Sequence, residues 1–408
     1  MIQNGSRLLS SLIPTMIADT KRFRILALDG GQRGVLMARM LMRLHERLPG
    51  FLDRVDLFAG TSAGAMTAAI ALTSPSWKTG LQRAHDFWSD AKFAKINPLQ
   101  NILSLTGKFP LTSNAAMLEQ LEIHLGDITL EKLSRKFVIP AFQLDNGAKD
   151  PVFRNWTPRL FHNLPLEGSG SNELLRDVVM RSGSAPIVSP AYQGYVDGGL
   201  YANNPSLCAL ALAKDYTGLP VEQIEIFSVG MGQNPIYLNK ATDNLGYMDW
   251  FLDSGHAMAM LNAVAESNLK AISYQCGRLL ESGFYRLDPR LPRAFYRKNE
   301  KQVRDDMTAW ERIAAEVNLI SAETWLINHG WQKPVKAKPV AKASPKVKAK
   351  AKSTPPPVRQ SKVKPVRRSA APTKPKPRAA KVVKVVAAEV PVAPPEIVAV
   401  TSEAPIKE

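Results

Sequence analysis

The chain has 408 residues, of which 45% are hydrophobic, so it is longer than one small core requires. Its two cysteines, Cys208 and Cys276, form no CxxC pair, which excludes a disulfide framework and a cysteine-rich metal site. We expect two reduced thiols, with a single disulfide between them as the alternative. No stretch approaches the ~20 apolar residues of a membrane-spanning helix. The N-terminal extension at 1–21 lacks the clean apolar segment of a signal peptide. We therefore expect a cytoplasmic protein, with peripheral attachment to a membrane surface as the alternative.

The positive charge is concentrated at the C-terminus. Residues 332–408 contain 19 Lys and Arg against 4 Asp and Glu, which is a net charge of +15 out of the chain's +17. This Lys/Pro/Ala-rich tail has no aromatic residue, no leucine and no glycine. It cannot bury enough apolar surface to fold, so we predict that it is disordered. We divide the rest into the extension, a globular domain at 22–290 and a helical closing segment at 291–331.

Short apolar runs alternate with helical patterns along the globular domain. In chain order, the pattern predicts a strand at 23–28, a helix at 35–48, a strand at 55–59, a helix at 63–72, strands at 137–144 and 224–229, a mainly helical stretch at 238–282 and a closing helix pair at 303–330. Strands that alternate with helices favour an α/β fold with three layers, α/β/α, around a mostly parallel central sheet.

The strongest local motif is Gly-Thr-Ser-Ala-Gly at 60–64, between an apolar strand and an Ala-rich helix. This context is typical of a nucleophile elbow, in which a tight turn exposes the hydroxyl of Ser62. Gly60 and Gly64 let the neighbouring backbones approach without a Cβ clash. The start of the following helix favours a developing anion. The alternative is an ordinary strand–helix junction with an incidental serine.

A glycine-rich loop lies upstream, directly after the first predicted strand. Its small residues expose backbone N–H groups to an anion. The candidate oxyanion-loop residues are Gly30, Gly31, Gln32, Arg33 and Gly34. Two alternatives remain at this point: a phosphate-binding turn of a nucleotide fold, although neither GxxxxGK[ST] nor a full GxGxxG is present, and a plain strand–helix turn.

A third motif is Asp197 followed by Gly198 and Gly199, after an apolar lead-in. Two glycines allow the carboxylate to lie close to another backbone segment. A carboxylate can accept a serine proton directly when it is desolvated and aligned. Because an aspartate is a weak base in water, burial must raise its pKa or geometry must compensate. The alternative is an aspartate that only caps a turn.

In this order the motifs ILALDGGQRG, FAGTSAGA and VDGGLYANNPS resemble those of the patatin-like phospholipases, and so do FVIPAFQLDN, RSGSAPIVSP and FSVGMGQ. The resemblance covers about residues 22–290, with the core motifs at 29–205. It implies that Ser62 is the nucleophile and Asp197 the base of a Ser–Asp dyad, with loop amides such as those of Gly30 and Gly31 as the oxyanion hole. It further implies a phospholipid or other acyl-ester lipid substrate, and no metal or organic cofactor.

The loop departs from the family pattern DGGGx[RK]G, because Gln32 follows only two glycines before Arg33. Loss of one oxyanion donor typically costs ~100-fold or more in rate. Activity is therefore expected to be weak unless the Gln32 amide compensates.

Other interpretations stay open. Ser62, Asp197 and His256 occur in the chain order of an α/β-hydrolase triad. The basic tail could attract anionic membrane lipids or the phosphates of a nucleic acid, or stay solvated. In an alternative function, the protein binds nucleic acid or an anionic surface through this tail, and its patatin-like body is weakly active or inactive. A third possibility is an enzyme that a messenger or partner activates. The sequence predicts no oligomeric state.

Overall fold

The computed structural model describes residues 22–90, 110–233, 245–246, 249–250, 259–291 and 300–332, without the side chains of 300–306. The N-terminal extension, His256 and residues 333–408 of the predicted tail lie outside this part of the chain. No helix within the described ranges is both long and apolar enough to cross a membrane.

One mixed sheet organises the described residues. Its strands are β1 (Phe23–Leu28), β2 (Leu57–Gly60), β3 (Lys136–Gln143), β4 (Thr157–His162), β5 (Tyr195–Asp197), β6 (Ile224–Val229) and β7 (Phe284–Leu287). The order across the sheet is β4-β3-β2-β1-β6-β7, with β5 paired to β3. The pairings β1–β2, β1–β6, β2–β3 and β6–β7 are parallel, whereas β4 and β5 run antiparallel to β3.

Helices cover both faces of the sheet. They are α1 (Gly34–Arg47), α2 (Ala63–Leu72), α3 (Trp77–Ser89), α4 (Ala115–Leu125), α5 (Leu175–Gly183), α6 (Gly199–Ala202), α7 (Ser206–Thr217), α8 (Ala259–Leu280), α9 (Glu300–Glu316) and α10 (Ile320–Asn328). Because strand side chains alternate between faces, Leu26 and Phe58 pack with α1 and α2, while Ile25 and Leu57 pack with α7. This confirms the predicted three-layer α/β/α fold with a mostly parallel sheet.

The elements with the clearest hydrophobic pattern match the prediction closely. The strands at 23–28 and 224–229 and the helix at 63–72 have the predicted bounds. The strand predicted at 55–59 begins only at Leu57, because Val55 ends a short 3-10 turn at Leu52–Arg54. The sequence analysis did not predict β4, β5 and β7, which are short or, in β4, carry a proline and an arginine.

The segment after residue 291 belongs to the same core as the sheet. Trp331 is fully buried, and its Nε1 donates to Oε2 of the buried Glu225 at 3.0 Å. The other oxygen, Oε1, accepts from Arg22 at 2.9 Å and lies 2.8 Å from Nδ1 of His329. The ring of Trp331 also packs edge-on against Phe227. The closing helices therefore complete the layer over β6.

Candidate active site

Ser62 lies on a strained turn between β2 and α2. Its backbone has φ 51° and ψ −119°, which is unfavourable for a residue with a side chain. Its N–H donates to Oγ of Ser182 at 2.9 Å. A Cβ at Gly64 would lie 2.3 Å from the carbonyl oxygen of Leu28, and one at Gly60 2.7 Å from the backbone of Ala65. Both glycines are therefore required for α2 to approach the sheet this closely.

The strand register explains why Asp197 reaches Ser62. One edge of β3 pairs with β4 over residues 138–143, and the other edge pairs with β2 over residues 136–138. Strand β5 pairs with β3 beyond the end of β2, with Asp197 opposite Ala141. Since β5 runs antiparallel, it ends beside the turn that follows β2. The structure thus brings the two predicted residues together, close enough for the Ser62 side chain to lower the pKa of the Asp197 carboxyl.

The Asp197 carboxylate is buried and has few partners. Its Oδ1 accepts from the Gly199 N–H at 2.7 Å. Burial raises the pKa of Asp197 to about 6, against the lowering effects of the Gly199 and Ser62 hydrogen bonds. A Cβ at Gly198 would lie 2.3 Å from the carbonyl oxygen of Pro140, so the glycine allows the motif to lie against β3. The result is a carboxylate that is ionised at pH 7 and more basic than an aspartate in water.

The two glycines of the upstream loop have different roles. The Gly30 N–H donates to the carbonyl oxygen of Asn203 at 2.8 Å, so, unlike the sequence prediction, this amide does not face an oxyanion. A Cβ on Gly30 would lie 3.2 Å from Cβ of Ser62, which places the loop against the serine. Gly31 is exposed at φ 144°, and the described residues include no partner for its N–H. The Gly31 N–H is therefore available to donate a hydrogen bond to an oxyanion.

The rest of the loop is anchored away from the serine. Arg33 donates from Nη1 to the carbonyl oxygens of Gly232 at 3.2 Å and Met231 at 3.4 Å, and its guanidinium lies 5.1 Å from the Trp310 ring centroid. Gly34 packs so closely against Trp88 that a Cβ would lie 2.2 Å from that ring. Gln32 is exposed. Arg33 thus attaches the loop to the segment after β6 and to α9.

A buried ionic network supports the loop from beneath. Arg286 on β7 donates to both carboxylate oxygens of Asp29, at 2.6 and 3.2 Å, and to Asp288 at 2.9 Å. Asp288 in turn accepts from the Gly232 N–H at 2.8 Å. Burial raises the pKa of Asp29 to about 6, although Arg286 opposes this shift. The network fixes the residue that immediately precedes Gly30.

Several contacts at the site were not assigned by sequence reasoning. Ser182 accepts from the Ser62 amide, and the hydroxyl of Thr61 donates to the carbonyl of Ala202 at 2.6 Å. Asn268 on α8 accepts from the Asn203 N–H at 3.0 Å. Ser182 and Asn203 lie within stretches that carried the family resemblance, so a signal was present, but only the fold shows their contacts.

The triad alternative is not addressed by the structure, because His256 is outside the described residues. Within the ranges that are described, no group of three or more His, Cys, Asp or Glu side chains could hold a metal ion. Cys208 and Cys276 are both free thiols, as predicted.

The fold and the strained serine turn define an α/β protein with the strand–turn–helix geometry that is typical of a nucleophile elbow. The Patatin-like phospholipase family matches residues 26–210. The sporulation protein CotR of Bacillus subtilis is 31% identical over 296 residues, which cover 66% of this chain and 88% of that protein. Protein teg of Priestia megaterium is 29% identical over 297 residues, covering 66% and 89%. A cGAMP-activated phospholipase of Escherichia coli is 30% identical over 209 residues, covering 47% and 56%.

The chain therefore belongs to the patatin-like phospholipase family, and this membership supports lipid acyl-ester hydrolysis as its class of activity.

Proposed function

We propose that the protein is a serine lipid acyl hydrolase of the phospholipase A type, with Ser62 as nucleophile and Asp197 as general base. The observation that carries this proposal is that β5 ends with the buried Asp197 carboxyl beside the Ser62 turn, where the serine side chain lowers the carboxyl pKa and burial raises it overall to about 6. The carboxylate is therefore both ionised and oriented to accept the serine proton. The family supplies the substrate class, an acyl ester of a lipid.

The reaction proceeds in two acyl-transfer steps. Asp197 takes the Ser62 proton while Oγ bonds to the ester carbonyl carbon, and the same carboxyl group then protonates the leaving alcohol as its bond breaks. The acyl group remains on Ser62. In the second step Asp197 takes a proton from water, whose oxygen bonds to the acyl carbon, and Ser62 leaves with that proton as the fatty acid is released.

Negative charge on the carbonyl oxygen is stabilised by groups that are already in place. The N–H of Gly31 is the available donor of the loop, and α2 begins at Ala63 with its positive end at the serine. Donors that are fixed before the reaction require no reorganisation as the charge develops.

The test measures hydrolysis of a soluble short-chain ester and of phospholipid. Ser62→Ala and Asp197→Asn are each expected to lower kcat/KM at least ~1,000-fold, since each removes a reacting group. Matched controls are Ser89→Ala and Asp86→Asn, which change exposed residues on α3 and should keep wild-type rates. Retained activity in either site variant, in a folded protein, would reject the dyad.

A further inference from the structure

The loop between β3 and β4, residues 144–156, exposes an unusual set of large apolar side chains. Val152, Phe153 and Trp156 are 83%, 66% and 72% exposed, and Leu144 is 38% exposed. Single exposed apolar residues are common on soluble proteins, but several large ones on one short loop are typical of an interaction site.

This loop, which we call the docking loop, extends from the same end of the sheet as Ser62. Strand β2 stops at Gly60, whereas β3 continues past it and pairs with Asp197 at Ala141. Leu144 lies three residues further, roughly 10 Å beyond the level of Asp197 at the usual rise of a strand. The docking loop therefore projects outward at the end of the sheet where Ser62 lies.

Internal hydrogen bonds satisfy several polar groups of the docking loop. Nε of Arg154 donates to both oxygens of Asp145 at 2.8 and 2.9 Å, and these bonds lower the pKa of Asp145 to about 2. Asn146 donates from its side chain to the carbonyl of Phe153 at 2.8 Å and from its backbone to Asn155 at 3.1 Å. A loop with its polar groups paired internally can enter an apolar phase at a much smaller desolvation cost.

An aromatic path connects the docking loop with the site. Trp156 packs edge-on against Phe142 at 6.4 Å between ring centroids, and Phe142 lies 6.3 Å from Tyr201. Tyr201 lies on α6, two residues after Gly199 of the Asp197 motif. These ring contacts hold Trp156 against the end of β3, so its exposed part faces outward from a fixed position.

The charge of the docking loop indicates the kind of surface that it fits. Asp145 and Asp150 are balanced by Lys149 and Arg154, so residues 144–156 carry no net charge. Such a loop has no electrostatic attraction to an anionic surface. Tryptophan and phenylalanine beside paired polar groups are suited to the boundary between lipid headgroups and acyl chains.

We propose that the docking loop inserts Val152, Phe153 and Trp156 into a phospholipid surface, including an uncharged one, and so presents lipid to Ser62. This inference rests on the proposed lipid hydrolase function and adds how the protein reaches its substrate. Burial of apolar side chains drives the contact, so binding depends little on salt.

The experiment uses the full chain and vesicles of phosphatidylcholine, with binding followed by co-sedimentation at low and high salt. The double variant V152S/F153S and the single variant Trp156→Ser are each expected to lose at least ~10-fold in vesicle affinity. Ile123→Ser, at an equally exposed position on α4, should bind like wild type. All variants should hydrolyse a soluble short-chain ester within ~2-fold of wild type.

The readouts separate this inference from the proposed function. The docking loop is overturned if V152S/F153S binds vesicles like wild type, or if wild-type binding disappears when the salt is raised. In either case, hydrolysis of the soluble ester by wild type still supports the dyad. Normal vesicle binding without hydrolysis of either ester overturns the proposed function instead. Equal loss in Ile123→Ser would show a nonspecific effect and also reject the docking loop.

Discussion

At the scale of single residues, a hydrogen bond to a neighbouring helix holds Ser62 in an unfavourable backbone conformation. Its amide donates to the hydroxyl of Ser182, a fully buried side chain on α5. A buried N–H that loses its acceptor costs ~1–3 kcal/mol. Ser182 therefore positions the proposed nucleophile through its backbone N–H.

We predict that Ser182→Ala lowers kcat on a soluble ester about 10-fold with little change in KM, because the turn loses the bond that holds it. Ser184→Ala is the matched control: this serine is equally buried on the same segment, but its hydroxyl donates only to the carbonyl of Met180. Steady-state kinetics of both variants decides the point. Equal losses in the two would show that only packing is affected.

The pH dependence of activity follows from Asp197. Because the base must be ionised and its pKa is raised to about 6, kcat/KM is expected to fall about 10-fold per pH unit below pH 6 and to level off above it. Asp29 has a similarly raised pKa, so Asp29→Asn is the control. If the pH profile of Asp29→Asn lacked the ionisation near pH 6, that ionisation would belong to Asp29 and not to Asp197.

The sequence allowed Ser62 and Asp197 to be predicted because each lies in a short motif with its own glycines. The hydrogen-bond partner of the Gly30 amide could not be predicted, because it is the carbonyl oxygen of Asn203, which is distant in the sequence. The same holds for Ser182. Hydrogen bonds between distant segments depend on tertiary register, which a local pattern does not contain.

At the scale of secondary structure, β5 is the element that assembles the site. It has only three residues, Tyr195–Asp197, too few for an alternating pattern, so no strand was predicted there. By contrast, β1 and β6 are central strands buried along most or all of their length, and a continuous apolar run identifies them. The core of the sheet was therefore predictable, whereas its antiparallel edge was not.

The ionic network beneath the glycine loop joins β1 to β7. We predict that Arg286→Met destabilises the protein by about 3–5 kcal/mol in urea unfolding, because it leaves the buried Asp29 carboxylate without its cation. Adding Asp29→Asn should restore at least ~1 kcal/mol, since the uncompensated charge is removed. Arg278→Met on the exposed face of α8 should change stability by less than ~0.5 kcal/mol. A double variant that is no more stable than Arg286→Met would contradict the coupling.

At the scale of the whole molecule, the folded unit extends through the closing helices. Trp331 is buried against the sheet and donates to Glu225, although the sequence analysis placed the boundary of the globular domain at 290. The aromatic and helical pattern of residues 303–330 predicted α9 and α10, but the packing of Trp325 and Trp331 against Phe227 on β6 required the structure.

We predict that Trp331→Ala lowers the free energy of unfolding by about 3–5 kcal/mol through the cavity and the unpaired Glu225 oxygen. Trp156→Ala, which changes an exposed tryptophan, should cost less than ~0.5 kcal/mol.

Likewise a chain ending at residue 332 should keep full hydrolysis of a soluble ester. Loss of cooperative unfolding in that shortened chain would show that the tail contributes to the fold.

The central claim, that Ser62 is activated by Asp197, is tested most directly by mapping a fluorophosphonate adduct by mass spectrometry. Wild type is expected to carry the adduct on Ser62, Ser62→Ala to carry none, and Asp197→Asn to react at least ~100-fold more slowly, while Asp86→Asn reacts like wild type. An adduct on a different serine, or equal labelling rates in wild type and Asp197→Asn, would contradict the dyad.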